Sequence, residues 1–175
     1  MYVIRHGETL INAKEIINSI NCVGLNKKGK MQAEEAGIKV RELDIDLILC
    51  SPLRRAVQTC RIINKNKIKV IYDRRLMERN AGNMQFKKND SVDLNLWYDI
   101  TKERIYKNSE GFKSLVERAG KVIEHVKTKY PDKNILFSTH GDMCKAIYAY
   151  INKISDVEKI IAYKVDNCYI AEYSI

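Results

Sequence analysis

Short apolar runs alternate along the chain with longer segments in which apolar residues recur every three or four positions. Four of these runs predict buried strands, at residues 2–4, 46–50, 68–72 and 134–138. The segments between them are long enough for helices that cross from one strand to the next. This alternation predicts an α/β fold, a three-layer sandwich in which helices flank a largely parallel central sheet.

Five segments predict helices: residues 27–43, 53–63, 92–105, 112–130 and 142–152. Asn26 is a suitable N-cap for the first helix, and Ser51-Pro52 predicts the start of the second, with the serine as N-cap and the proline at the first helical position. Residues 73–90 are polar and predict a long loop over a functional site. The last segment, residues 160–175, predicts one or two strands.

The predicted strand ends carry the residues best suited to chemistry. Arg5 and His6 follow the first strand, residues 51–55 follow the second, and His140 follows the fourth. Because ligands of open α/β sheets lie beyond the carboxyl ends of the strands, we expect these residues to form one site. The remaining histidine, His125, falls inside a helical segment and is interpreted as an ordinary helical residue.

Composition limits the class of protein. With 175 residues, the chain is expected to form a single domain over residues 1–175. It has 31 lysines and arginines against 22 acidic residues, and the net charge of +9 favours anionic partners without separating small phosphates from nucleic acid. Five scattered cysteines without a C-x-x-C motif favour free thiols over a disulfide or zinc framework.

The chain shows no sign of a membrane or secretory segment. No apolar run approaches the roughly 20 residues that a membrane-spanning helix needs, so we expect no membrane association. Arg5 follows the first apolar residues at once and leaves no room for the apolar region of a signal peptide. These features predict a cytoplasmic protein.

Five sequence blocks occur in order over about residues 2–170. They are Arg5-His6-Gly7-Glu8-Thr9 with Asn12, Leu25-Asn26-Lys27-Lys28-Gly29 with Gln32-Ala33, Ser51-Pro52-Leu53-Arg54-Arg55-Ala56-Val57-Gln58-Thr59, Leu76-Met77-Glu78 with Gly82, and Ser138-Thr139-His140-Gly141. Together they resemble the motifs of the histidine phosphatase superfamily, in its phosphoglycerate mutase-like branch. Asn167 also falls where that family has a late asparagine. The resemblance implies a phosphoglycerate mutase-like fold.

The resemblance also implies a role for each matching residue. His6 would attack phosphorus as a neutral imidazole and form a phosphohistidine. Arg5 and Arg55 would bind the phosphate through their forked guanidinium donors, and their charge would favour the neutral form of the imidazole. Glu78 would protonate the leaving oxygen and later activate water.

The other matching residues are implied to bind the phosphate group. His140 would be a third donor to its oxygens, with Gly141 beside it, and Asn12 would be a neutral donor at the rim. No cluster of metal ligands is visible in the sequence, so we expect neither a metal nor another cofactor.

The implied function is hydrolysis of a small phosphorylated metabolite. A cofactor-dependent phosphoglycerate mutase is the alternative, since it would share every catalytic residue; the short segment between Glu78 and His140 favours access of water. A non-catalytic nucleic-acid-binding protein is a more distant alternative, because aromatic residues are only 8% of the chain. We therefore expect a small-molecule partner and no nucleic acid; nothing in the sequence indicates an oligomeric state.

Three positions depart from the family pattern. Asn83-Met84-Gln85 stands where tryptophan-glutamate is frequent, Ser109-Glu110-Gly111 is the nearest counterpart of a G-E-S tripeptide, and Asp142 stands where a small residue is common. These positions lie where the substrate is selected, so the alcohol part of the substrate is left open. Candidates implied by the resemblance are sugar phosphates, phosphoglycerate and the ribazole phosphate of cobalamin assembly.

Overall fold

Four parallel strands and one antiparallel strand form the central sheet of the computed structural model, which describes residues 1–175. The strands are β1 (Tyr2–Arg5), β2 (Leu47–Cys50), β3 (Lys69–Tyr72), β4 (Ile135–Thr139) and β5 (Ile170–Glu172). Their order across the sheet is β3-β2-β4-β1-β5, and β5 pairs antiparallel with β1 at one edge. The first four strands lie where the apolar runs predicted them.

Seven helices surround the sheet: α1 (Leu10–Ala13), α2 (Lys27–Glu42), α3 (Arg54–Ile63), α4 (Leu94–Trp97), α5 (Phe112–Lys129), α6 (Gly141–Ile151) and α7 (Val157–Ala162). Alternate strand residues point to opposite faces of the sheet. Ile4 and Ile48 accordingly pack against α2 and α3, whereas Val3 and Leu49 pack against α5 and α6. None of the helices combines the length and the apolar character needed to cross a membrane.

The parallel register brings the candidate residues to one edge of the sheet. Arg5 pairs with Thr139, and Cys50 pairs with Ser138. The ladder continues one residue further, because the His6 N–H donates to the Thr139 carbonyl at 2.9 Å. His6, Ser51 and His140 therefore follow directly from three adjacent strands.

Glycine is required where the loop after β1 meets the start of α2. A Cβ atom on Gly7 would overlap the carbonyl oxygen of Gly29, and one on Gly29 would overlap the carbonyl oxygen of Glu8. The two glycines thus allow backbone-to-backbone contact that fixes the loop carrying His6. The side chain of Asn26 caps α2 as predicted, since its oxygen accepts from the Gly29 N–H at 2.7 Å.

Three predicted elements differ from the structure. The helix predicted over 92–105 is the single turn α4, followed by irregular chain in which Asp99 accepts the Thr101 N–H. The strands predicted over 160–175 reduce to β5, since α7 extends to Ala162 and irregular chain follows it. Ser51 does not cap α3; the N-cap is Leu53, and the serine side chain turns towards His140 instead.

Candidate active site

His6 is buried at the end of β1 with its tautomer fixed by two neighbours. Its Nδ1 lies 2.7 Å from the Gly7 carbonyl oxygen, which can only accept, so Nδ1 carries the proton. Its Nε2 accepts a hydrogen bond from Nε of Arg55 at 3.0 Å, which requires a free lone pair. Burial, and then the charges of Arg55 and Arg5, hold the pKa of His6 well below its usual value. The imidazole is therefore neutral, with its nucleophilic nitrogen at Nε2.

Arg55 projects from the first turn of α3 and is completely buried. Besides its contact with His6, it donates from Nη2 to the Ser19 carbonyl at 3.0 Å. Burial lowers the pKa of Arg55 to about 10, so its charge persists at neutral pH. The neighbouring Arg54 is exposed and does not reach His6.

His140 lies between the end of β4 and α6, with its ring centre 5.2 Å from that of His6. Its Nε2 is 2.7 Å from Oγ of Ser51. The serine oxygen already accepts the Leu53 N–H, so its own proton is available to His140 Nε2. Donation in this direction would leave the imidazole proton of His140 on Nδ1. Burial, followed by the charge of Arg55, lowers the pKa of His140 well below its usual value.

Four buried side-chain nitrogens at this end of the molecule lack hydrogen-bond partners: Arg5 Nε, Arg55 Nη1, Arg79 Nη2 and His140 Nδ1. An unpaired buried donor costs about 1–3 kcal/mol, so such groups are rare unless they serve a ligand. Arg5 is held in place by donating from Nη1 to the Val165 carbonyl. An anion bound beside His6 would supply acceptors for donors of this kind, and guanidinium groups are well suited to phosphate oxygens.

Two further predicted residues border the same space. Asn12 belongs to α1, where its side-chain oxygen accepts the Thr9 N–H at 3.1 Å, and it lines the cavity above His6. Gly141 is the first residue of α6 and also lines the cavity, with Arg5 alongside it. Asn167 lies on the other side of His6 and donates to its carbonyl oxygen at 2.9 Å.

Glu78 is buried in the loop after β3, on the wall of the same cavity. Its Oε1 accepts the Arg79 N–H at 3.0 Å. Burial, with a further contribution from the negative charge of Asp142, raises the pKa of Glu78 to about 7. A carboxyl group with this pKa can give and take a proton near neutral pH.

The cavity holds about 290 Å³ and extends from His6 towards the loop that contains α4. Its outer part contains residues that the sequence analysis did not place in the site: Ser19, Arg79, Trp97, Tyr98 and Lys145. Asp142 belongs to the same group and had been noted only as a departure from the family pattern. The sequence offered one usable signal for these residues. A charged residue, Arg79, directly follows Glu78, and another, Asp142, directly follows Gly141.

Ser19 ties the loop after α1 to the loop that carries Glu78. Its hydroxyl donates to the Arg79 carbonyl at 2.7 Å and accepts the Ala81 N–H at 2.8 Å. Because its own carbonyl accepts from Arg55, this single residue joins Arg55 to the segment of the candidate acid.

The chain is similar to several known proteins. A sequence profile described as the histidine phosphatase superfamily (branch 1) matches residues 1–175. The uncharacterized phosphatase PhoE of Bacillus subtilis (strain 168) is 30% identical over 154 residues, covering 87% of this chain and 76% of that protein. Phosphoglycerate mutase-like protein 4 of Arabidopsis thaliana is 29% identical over 170 residues, covering 91% and 74%.

A solved structure bears on the fold. The mycobacterial glucosyl-3-phosphoglycerate phosphatase superposes with a TM-score of 0.82 at 21% sequence identity, covering 97% of this chain and 87% of that one. The predicted three-layer fold with its largely parallel sheet is confirmed.

Proposed function

The chain belongs to branch 1 of the histidine phosphatase superfamily, and we propose that it hydrolyses a small phosphorylated metabolite through a phosphohistidine on His6. Membership of the family and the phosphatase relatives support phosphomonoester hydrolysis. The observation that carries the proposed mechanism is the unprotonated Nε2 of His6, set among unpaired buried donors and beside a cavity that Glu78 also lines.

In the first step, the lone pair of His6 Nε2 attacks phosphorus while the bond from phosphorus to the ester oxygen breaks. Arg5, Arg55 and His140 stabilise the charge on the non-bridging oxygens. Glu78 gives its proton to the departing oxygen, so that an alcohol leaves rather than an alkoxide.

In the second step, the carboxylate of Glu78 takes a proton from water as the water oxygen attacks phosphorus. The bond from phosphorus to Nε2 breaks, which returns its electron pair to the imidazole. This step releases inorganic phosphate and restores neutral His6 and protonated Glu78, which is the starting state of the catalytic cycle. The arginines supply the positive charge that a metal ion would otherwise provide, so the proposal includes no metal.

The test is to trap the phosphoenzyme. Wild-type protein incubated with a radiolabelled phosphomonoester should acquire an acid-labile label and release phosphate, whereas His6→Ala should do neither. His125→Ala is the matched control, because His125 is exposed on α5 and should leave labelling unchanged. Turnover of p-nitrophenyl phosphate by His6→Ala at a rate near that of the wild type would refute the proposal.

The mutase alternative differs only in the acceptor of the phosphoryl group. Labelled phosphoenzyme can therefore be isolated and divided between buffer and a solution of phosphoglycerate. The proposal expects inorganic phosphate in both samples at similar rates. Transfer of the label to phosphoglycerate with little free phosphate would identify a mutase instead.

A further inference from the structure

Asp142 places a carboxylate in the outer part of the cavity, two residues after His140. It occupies the first turn of α6, and its side chain is 18% exposed. In the proposed hydrolysis this group contacts neither the phosphate nor the leaving oxygen; it acts only through the pKa of Glu78. Its position on the cavity wall nevertheless puts it where the alcohol part of a substrate would lie.

Two buried aromatic residues hold this carboxylate in a fixed orientation. Trp97 donates from Nε1 to Oδ2 of Asp142 at 2.8 Å, and Tyr98 donates from its hydroxyl to Oδ1 at 2.8 Å. The indole nitrogen can only donate, so Oδ2 must remain an acceptor. A carboxylate held in this way cannot turn aside when a substrate enters.

The two cations nearest Asp142 are held in place mainly by backbone carbonyls. The guanidinium of Arg79 stacks on Trp97, donates to the carbonyls of Glu110 and Trp97, and has Nη1 4.0 Å from Oδ2 of Asp142. Its Nη2 alone lacks a partner. The ammonium of Lys145 donates to three backbone carbonyls at the end of α7.

We propose that Asp142 makes this cavity select phosphomonoesters whose alcohol part is uncharged, and reject those whose alcohol part carries a carboxylate. The proposal rests on the hydrolytic function proposed above and adds the substrate class. A second carboxylate would meet the charge of Asp142 at short range, and the guanidinium of Arg79 that faces it is already shared with Asp142. Hydroxyl groups suit the same surface, because they can donate to Asp142 and accept from Nη2 of Arg79.

A purely structural role would give a different result. An acidic residue in the first turn of a helix stabilises that helix, and the bonds to Trp97 and Tyr98 anchor α4. If that were all, loss of the charge would weaken activity on every substrate alike. The charge of Asp142 also raises the pKa of Glu78, and this effect too is common to all substrates with similar leaving groups.

Glycerol 3-phosphate and 3-phosphoglycerate form the matched pair for the test, because they differ by a hydroxymethyl group in place of a carboxylate. The wild type should have the higher kcat/KM for glycerol 3-phosphate. Asp142→Asn should shift the ratio of the two kcat/KM values towards 3-phosphoglycerate by about tenfold or more. Asparagine can keep both anchoring contacts, with its oxygen facing Trp97 and its amide donating to the hydroxyl of Tyr98.

Tyr98→Phe is the control, since it removes one anchoring bond and keeps the charge; the ratio should stay near the wild-type value. An unchanged ratio in Asp142→Asn, or wild-type enzyme that hydrolyses both esters equally well, would overturn the proposal. The wild-type comparison decides even if a variant fails to fold. Wild-type enzyme that hydrolyses no phosphomonoester would instead refute the proposed function itself.

Discussion

Arg55 donates its Nε–H to Nε2 of His6 at 3.0 Å, so the arginine that is proposed to bind phosphate contacts the same atom that is proposed to attack phosphorus. This bond holds the lone pair in place. When a phosphoryl group enters, the same donor can turn to its oxygen, while Nη2 remains on the Ser19 carbonyl. The contact therefore links the orientation of the nucleophile to the binding of the substrate.

Arg55→Lys tests this link. Lysine keeps the positive charge but lacks the planar fork, so it cannot hold Ser19, His6 and phosphate together. We expect kcat/KM for phosphomonoesters to fall by about 10²–10³, the usual loss when one stabilising donor is removed. Arg54→Lys is the matched control on the same helical turn and should stay near wild type. Equal activities of the two variants would show that only charge matters at position 55.

The site residues at the strand ends could be predicted from the sequence, and the reason is physical. A buried parallel strand is a short apolar run, and the residue that follows it must lie at the edge where ligands bind. His6 and His140 directly follow two adjacent strands, and Arg5 is the last residue of one of them. That these residues lie close together could therefore be predicted from the strands alone, without knowing the structure of the loops.

The outer cavity could not be predicted in the same way. Its contacts join positions far apart in sequence, such as Trp97 and Asp142, which are separated by 45 residues. The helical periodicity of residues 92–105 was also misleading, because Asp93 caps one turn and Asp99 then accepts the Thr101 backbone in a local turn. Asp and Thr side chains favour such turns over a helix interior.

Glu78→Gln should reveal the general acid through the choice of leaving group. Glutamine keeps the shape of the side chain but has no proton to give. On an alkyl phosphate we expect phosphoenzyme formation to slow by about 10²–10⁴, because an alkoxide leaves poorly without a proton. With p-nitrophenyl phosphate the same step should change much less, since the phenolate leaves unaided.

Single-turnover measurements on Glu78→Gln separate phosphoenzyme formation from hydrolysis of the phosphoenzyme. The second step should slow with both substrates, because Glu78 is also proposed to activate water. A small and equal effect in both steps with both substrates would mean that another residue is the acid.

The same substitution should affect stability in a pH-dependent way. The pKa of Glu78 is raised from 4.5 to about 7 in the folded protein, so the folded state keeps a proton that the unfolded chain releases. Its contribution to stability is fully present below about pH 4.5 and is lost as pH rises through about 7. Glu78→Gln cannot ionise and escapes this loss.

Relative to the wild type, Glu78→Gln should therefore gain free energy of unfolding between pH 5 and pH 8, by an amount on the order of 3 kcal/mol. Urea unfolding of both proteins at the two pH values measures the difference. A gain that is the same at both pH values would show that Glu78 titrates normally in the folded protein.

Chelation tests the proposed absence of a metal. The buried donors near His6 are nitrogens of arginine and histidine, which can bind phosphate oxygens without a metal ion. Activity should survive prolonged incubation with EDTA, and vanadate should inhibit by occupying the same donors. Loss of activity in EDTA that magnesium restores would contradict the proposed mechanism.

Ser51→Ala tests how the proton of His140 is placed. The hydroxyl of Ser51 lies 2.7 Å from Nε2 of His140 and already accepts the Leu53 N–H, so it is positioned to donate to the ring. We propose that it does donate, which keeps the imidazole proton on Nδ1, the nitrogen that lacks a partner and can serve a phosphate oxygen. Without the hydroxyl, Nε2 can hold the proton instead, and a fraction of the molecules would lose that donor.

We expect Ser51→Ala to fold and to lose about one order of magnitude in kcat, less than removal of a whole donor would cost. Nitrogen-15 spectra of the His140 ring should show a single tautomer protonated at Nδ1 in the wild type and a mixture in the variant. His6 should keep its Nδ1 proton in both proteins, because the Gly7 carbonyl fixes it independently. A wild-type ring protonated at Nε2 would mean that His140 donates to Ser51, and its proposed role towards phosphate would then be wrong.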